Sequence, residues 1–121
     1  MNILKQIPVL LLALIFLVFG LNFFLHFLPM PPATGNAATF FGVIYSTGFL
    51  TVVKVLEIIF AILLVIKSTR ALALLLMAPI VVNILLYELL IAHAPGIGIV
   101  LVLLNAVSIY QLKEKYLPIV R

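Results

Sequence analysis

The sequence predicts an all-α protein, a four-helix transmembrane bundle with both termini cytoplasmic. Three observations lead there. The 121-residue chain is 67% hydrophobic and 8% charged, where a soluble domain carries roughly 25% charged residues. Its mean hydropathy is +1.46. Apolar runs long enough to span a bilayer alternate with Pro, Gly and short polar breaks, and the basic residues fall on alternate connections.

The first span is expected over residues 7–28. It stops at Pro29, and the Pro-Met-Pro-Pro-Ala-Thr-Gly-Asn run after it cannot continue a helix. Its apolar core is too long for a secretory signal and further spans follow, so no cleavage is expected. The second span is expected over residues 43–66, after a loop at 29–39 that ends in Phe40 and Phe41. The turn Lys67-Ser-Thr-Arg70 leads into a third span over 71–91, with Pro79 inside it. Ala94-Pro95-Gly96 breaks again before a fourth over 97–112, the shortest. Each approaches the roughly 20 residues that cross the hydrocarbon core. The chain is one domain, residues 1–121.

Direction follows from charge. Lys5, Lys67, Arg70, Lys113, Lys115 and Arg121 lie at the N-terminus, the second connection or the C-terminus. The first and third connections hold no Lys or Arg. The positive-inside rule then puts both termini in the cytoplasm. The +4 net charge is topological and not a nucleic-acid signal, because no basic patch interleaves with aromatic platforms. Without cysteine there is no disulfide, CxxC pair or thiolate metal site.

Each span carries polar side chains that lipid would reject. Lys54 and Glu57 stand three apart within the second span and so share a helical face. A charge at the centre of a span costs roughly 2.5–3.5 kcal/mol on insertion scales, and each of these can neutralise the other. Asn22 and His26 are spaced i, i+4 in the first span. Asn83 and Tyr87 are so spaced in the third, with Glu88 beside them. The fourth carries Asn105 and Ser108. With antiparallel packing, Lys54, Glu57, Asn83 and Asn105 are expected near the midplane, and His26, Tyr87 and Glu88 toward the outer surface. The expected ligand-binding set is Lys54, Glu57, Asn83, Tyr87, Glu88, Asn22 and His26. A pairing of His26 with Glu88 would make a switch near neutral pH. No HExxH, Walker lysine, GxGxxG or Ser-His-Asp set occurs, so no catalytic or metal residues are assigned.

Three segments resemble a known family. Phe19-Gly-Leu-Asn-Phe-Phe-Leu-His-Phe-Leu-Pro-Met-Pro-Pro32, Lys54-Val-Leu-Glu-Ile58 and Leu74-Leu-Leu-Met-Ala-Pro-Ile-Val-Val-Asn-Ile84 are similar, in order and spacing, to the DoxX family of small bacterial membrane proteins. The resemblance covers most of the first three spans and implies a four-helix bundle in a bacterial inner membrane. It places Gly20, Asn22, Lys54, Glu57, Pro79 and Asn83 at motif positions. The family takes its name from a subunit of a thiosulfate:quinone oxidoreductase. The resemblance therefore implies an accessory role in a membrane redox complex, with quinone as the ligand class and redox proteins as partners. Two departures stand out: Phe60-Ala61 where relatives often carry Gly, and Tyr87-Glu88 where they often carry an aromatic residue and His.

Three functions compete at this level. A non-catalytic membrane subunit with a polar pocket for a quinone-like or small polar ligand requires a cavity touching Lys54. An assembly or stability factor requires a filled core in which polar groups only fix packing. A proton or solute conduit requires polar groups continuing to the cytoplasmic side, where residues 63–66 and 71–76 are apolar.

Overall fold

The structure, a computed structural model, describes residues 3–29, 33–94 and 96–120. Met30, Pro31, Pro32, Pro95 and Arg121, to which the sequence reading gave breaking or topological roles, lie outside the described residues. The described chain is helical with no strand. Helix α1 is Ile3–Leu25, α2 Gly35–Ser46, α3 Phe49–Val65, α4 Arg70–Leu86, α5 Gly98–Gln111 and α6 Lys113–Val120. A π-helical turn, Tyr87–Ile91, widens the end of α4. By length and composition, Ile3–Leu25 and Arg70–Ile91 can each cross a membrane, and α2 with α3 would make a third such span if the bent pair counts as one.

That bend is the main departure from expectation. The span expected over 43–66 is two helices meeting at 81°. Local chemistry explains the break. Ser46 and Thr47 turn their hydroxyls back onto the carbonyl of Val43, at 3.2 and 2.8 Å, which competes with the backbone ladder. Gly48 then takes a left-handed conformation, φ 82°, which a side chain would resist. The part of the 29–39 loop from Gly35 onward is likewise helical, and Phe40 and Phe41 sit on α2.

Helix α1 packs on α3 and α5, α3 on α4, and α4 on α5, while α2 rests on α3 and on the π turn. The α1–α3 and α4–α5 pairs run antiparallel. Gly20 of α1 lies against Ile58 and the Lys54 carbonyl of α3, whereas Ala13, seven residues earlier, lies level with Ala61 and Val65. A Cβ on Gly20 would come within 2.7 Å of Ile58 Cγ1, so this crossing needs glycine. Likewise Leu74 of α4 meets Asn105 of α5, and Glu88 meets Gly98. The core comprises Val9, Leu12, Ala13 and Phe16 of α1, Ala61 and Leu64 of α3, Ala73, Leu74, Met77 and Val81 of α4, and Leu101 of α5. The alanines let helices approach closely, which matters where lipid tails are as apolar as the side chains. Many large apolar residues face outward, Leu14, Ile62, Leu72 and Leu103 among them, and lipid is the solvent that suits them.

Candidate functional site

One end of the molecule gathers the basic segments. Arg70, the first residue of α4, is 3% exposed. Its Nε donates to the Leu64 carbonyl at 2.7 Å and its terminal nitrogens donate to Val65 O at 3.3 Å and Gln6 Oε1 at 3.4 Å. Thr69 Oγ1 donates to Leu63 O at 2.8 Å. Together these close the carbonyls that a helix leaves open at its last turn, and they tie α3 and α4 to the start of α1. Tyr116 of α6 donates its hydroxyl to Ala71 O at 2.7 Å. Burial raises the Tyr116 phenol above its usual value near 10. Lys5 and Lys113 line a common concavity at this same end.

The opposite end is closed by side chain to backbone bonds. Asn22, buried, accepts the backbone N–H of Leu28 on Oδ1 at 2.7 Å, and its carbonyl accepts that of His26 at 2.8 Å. His26 ends α1 in the left-handed region, φ 54°, with an exposed side chain. Glu88 Oε1 accepts the N–H of Gly98 at 2.8 Å and of Gly96 at 3.2 Å, so a carboxylate caps the positive N-terminus of α5. A Cβ on Gly98 would overlap Glu88 Oε1 and stand 2.9 Å from Leu85 Cα. The ring of Tyr87 stacks on Phe40 at 5.3 Å and meets Phe41 edge-on at 5.0 Å, fastening α2 to the π turn.

Between the ends, Lys54 Nζ stands 3.5 Å from both carboxylate oxygens of Glu57. The Glu57 side chain is 5% exposed and that of Lys54 22%. Because α3 begins at Phe49, Glu57 marks its middle and Lys54 lies about 5 Å nearer the Phe49 end, not at the centre of a longer span. Asn83, expected inward, is exposed and donates Nδ2 to Pro79 O of its own helix at 2.9 Å. Asn105, buried, donates to Leu74 O at 3.1 Å. Ser108 Oγ, also buried, has no hydrogen-bond partner among the described residues.

The expected ligand set therefore divides into separate structural units. Lys54 joins Glu57, Tyr87 joins the α2 aromatics, Glu88 joins the α5 N-terminus and Asn22 joins the turn after α1. No ion pair links His26 to Glu88 among the described residues. Arg70, Gln6 and Tyr116 were missed as structural residues. The available cue was a helix ending at residue 65 with no glycine behind it, whose carbonyls needed another donor. Two concavities among the described residues lie away from Lys54. One, about 400 Å³, is an apolar groove between α1 and α3 around Ala13 and Ala61. The other is the basic concavity at Lys5 and Lys113.

Comparisons with protein-family models, with curated proteins and with solved structures find no match to this chain.

Proposed function

We propose that this chain is a multi-pass protein of a bacterial inner membrane that serves as a non-catalytic accessory subunit, holding a partner protein rather than transforming a ligand. In this reading α1, α3, α4 with its π turn, and α5 cross as a four-helix bundle. Helix α2 lies along the outer surface and both termini are cytoplasmic. One observation carries the subunit reading: Asn22, Glu88, Arg70, Asn83 and Asn105 each spend a side-chain bond on the backbone of the fold itself. The Asn83 bond stays within α4; the others fix helix ends and crossings, and all of them leave little polar capacity for a substrate. The meeting of Lys5, Gln6, Arg70, Lys113 and Tyr116 at one end supports the orientation. Helices α3 and α5 are short for a bilayer, about 25 and 21 Å by rise per residue, which local thinning accommodates. The resemblance to the DoxX family suggests a redox complex as the setting.

A second reading is favoured by Lys54. Among the described residues its ammonium has one partner, Glu57 at 3.5 Å, and it remains partly exposed, so it can donate to a quinone-like carbonyl or a small anion. Purification in mild detergent separates the two. A co-purifying protein without stoichiometric quinone supports the accessory subunit; stoichiometric quinone that is lost in Lys54→Met replaces it with the ligand reading. Single cysteines at Thr34, Ser68 and Gln111 test the topology with an impermeant thiol reagent on intact cells. Only Thr34→Cys is expected to react from outside, and labelling of Ser68→Cys would reverse the orientation.

A further inference from the structure

We propose that α2 is a lid hinged at Gly48, which swings off the bundle end marked by Asn22 and Glu88 and opens a way to the Lys54 ammonium. What passes the lid rests on the reading of Lys54 as a donor to a ligand, given above; the motion itself does not.

Helix α2 meets α3 at 81°, so it lies across the bundle end rather than along it. It bears on α1 through Tyr45, whose ring is 5.9 Å from that of Phe23, and on the π turn through Phe40 and Phe41 against Tyr87. Its packed side is the narrow stripe Ala37, Phe40, Phe41 and Ile44, of which only Ala37 is fully buried. Among the described residues no hydrogen bond joins α2 to α1, to α3 or to the π turn. The turns at Arg70 and Glu88, by contrast, are pinned by side-chain bonds. The last carbonyls of α2 are closed from within, because Ser46, Thr47 and Gly48 donate back to Val43, Ile44 or Tyr45. The helix therefore carries its own terminal bonds when it turns, and only ring contacts and a thin apolar stripe must separate. Gly48 holds φ 82°, and a Cβ there would meet nothing within 4 Å, so the hinge is not clamped by neighbours. A hinge needs a few residues at an element end to absorb such a change. Beneath the lid, Lys54, Glu57, Ala61 and Leu64 recur at intervals of three and four along one side of α3. Ala61 and Leu64 are buried, the Glu57 side chain is 5% exposed and that of Lys54 22%, so the stripe opens toward the bend. The latch, Tyr87, stands on a π turn, an irregularity found often at functional sites.

The test is acetylation of the full chain in nanodiscs by a water-soluble amine reagent, read lysine by lysine by peptide mass spectrometry. Exposed Lys67 is the internal reference, and wild-type Lys54 should react many times more slowly. Tyr87→Ala removes both ring contacts that latch α2 to the π turn and should speed Lys54 about tenfold against Lys67. Gly48→Ala penalises the left-handed closed hinge and should speed it about fivefold. Gly48→Asn should do less, since Asn tolerates that conformation. Unchanged ratios in Tyr87→Ala and Gly48→Ala, or a wild-type Lys54 as fast as Lys67, would overturn the lid. Should those variants melt far below wild type, the unaltered hinge decides. The chain lacks cysteine, so nitroxides on Ala38→Cys and Leu90→Cys, both at exposed positions, report the distance from α2 to the π turn by pulsed electron resonance. A second, longer distance beside the closed one is expected, and a single narrow distance overturns the lid. The two ideas fail separately. A responsive Lys54 in a chain that purifies without quinone keeps the lid and refutes the ligand reading, whereas bound quinone with an unresponsive Lys54 refutes the lid alone.

Discussion

Arg70 donates its Nε–H to the carbonyl of Leu64 at 2.7 Å from a position that is almost fully buried. The bond crosses the turn between α3 and α4, and the same guanidinium reaches Val65 and Gln6. A residue that the sequence distinguishes only by its charge is therefore also the joint of three helices. The planar fork explains why arginine is needed, since one lysine ammonium cannot present three donors in those directions.

Replacing Arg70 should consequently destabilise far more than replacing Lys67 three residues earlier. Arg70→Met leaves carbonyls of the α3 end open, and charged hydrogen bonds of this kind are worth about 1.5–3 kcal/mol each. Arg70→Lys should recover part of the loss. Lys67→Gln, at an exposed site, should stay within about 0.5 kcal/mol. Melting in detergent reads the difference, and equal midpoints for Arg70→Met and Lys67→Gln would refute the joint.

Glu88 and Gly98 form the matching joint at the other end. Glu88→Ala removes a capping carboxylate and should cost about 1–2 kcal/mol. Gly98→Ala should cost more, because its methyl meets backbone at Leu85 as well as the carboxylate. Gly96→Ala meets only the end of the Glu88 side chain and should be relieved in the Glu88→Ala background. A Gly98→Ala chain as stable as wild type would mean that α4 and α5 do not approach this closely.

How much of this was legible follows from what each feature depends on. Helical class and apolar spans come from composition over long windows, and the clustering of basic segments from alternation along the chain. The inward face of each helix was not legible. In a helix that is apolar all round, hydrophobic periodicity loses its contrast. Asn83 was accordingly expected inside, although Met77 and Val81 set the buried face of α4. The break at Gly48 was hidden because Ser46 and Thr47 are ordinary in a membrane helix until their hydroxyls turn onto Val43. Gly96-Ile-Gly98 reads as a helix start. Its capping acid, however, sits ten residues back, beyond a π turn that no local pattern announces.

The Lys54–Glu57 pair should behave as a unit. Removing either partner leaves a charge in a poorly solvated place, at about 3–5 kcal/mol. Lys54→Met and Glu57→Gln should each lower the melting midpoint in detergent, and the double variant should lose less than the two losses combined. Simple additivity would show that the 3.5 Å contact carries no coupling.

Tyr116 offers a test that depends on pH. Its hydroxyl donates to Ala71 O at 2.7 Å, and that bond exists only while the phenol is protonated. Burial raises the folded phenol above its unfolded value, so the folded chain holds the proton more tightly. The resulting stability is fully present below the unfolded value near 10 and is lost as pH rises through the folded one. Tyr116→Phe removes the bond at every pH, at about 1 kcal/mol, together with this part of the alkaline sensitivity. Wild type and variant should therefore differ in melting midpoint at pH 8, and the gap should narrow above pH 10. A gap that stays constant across that range would show that Tyr116 docks α6 through its ring alone.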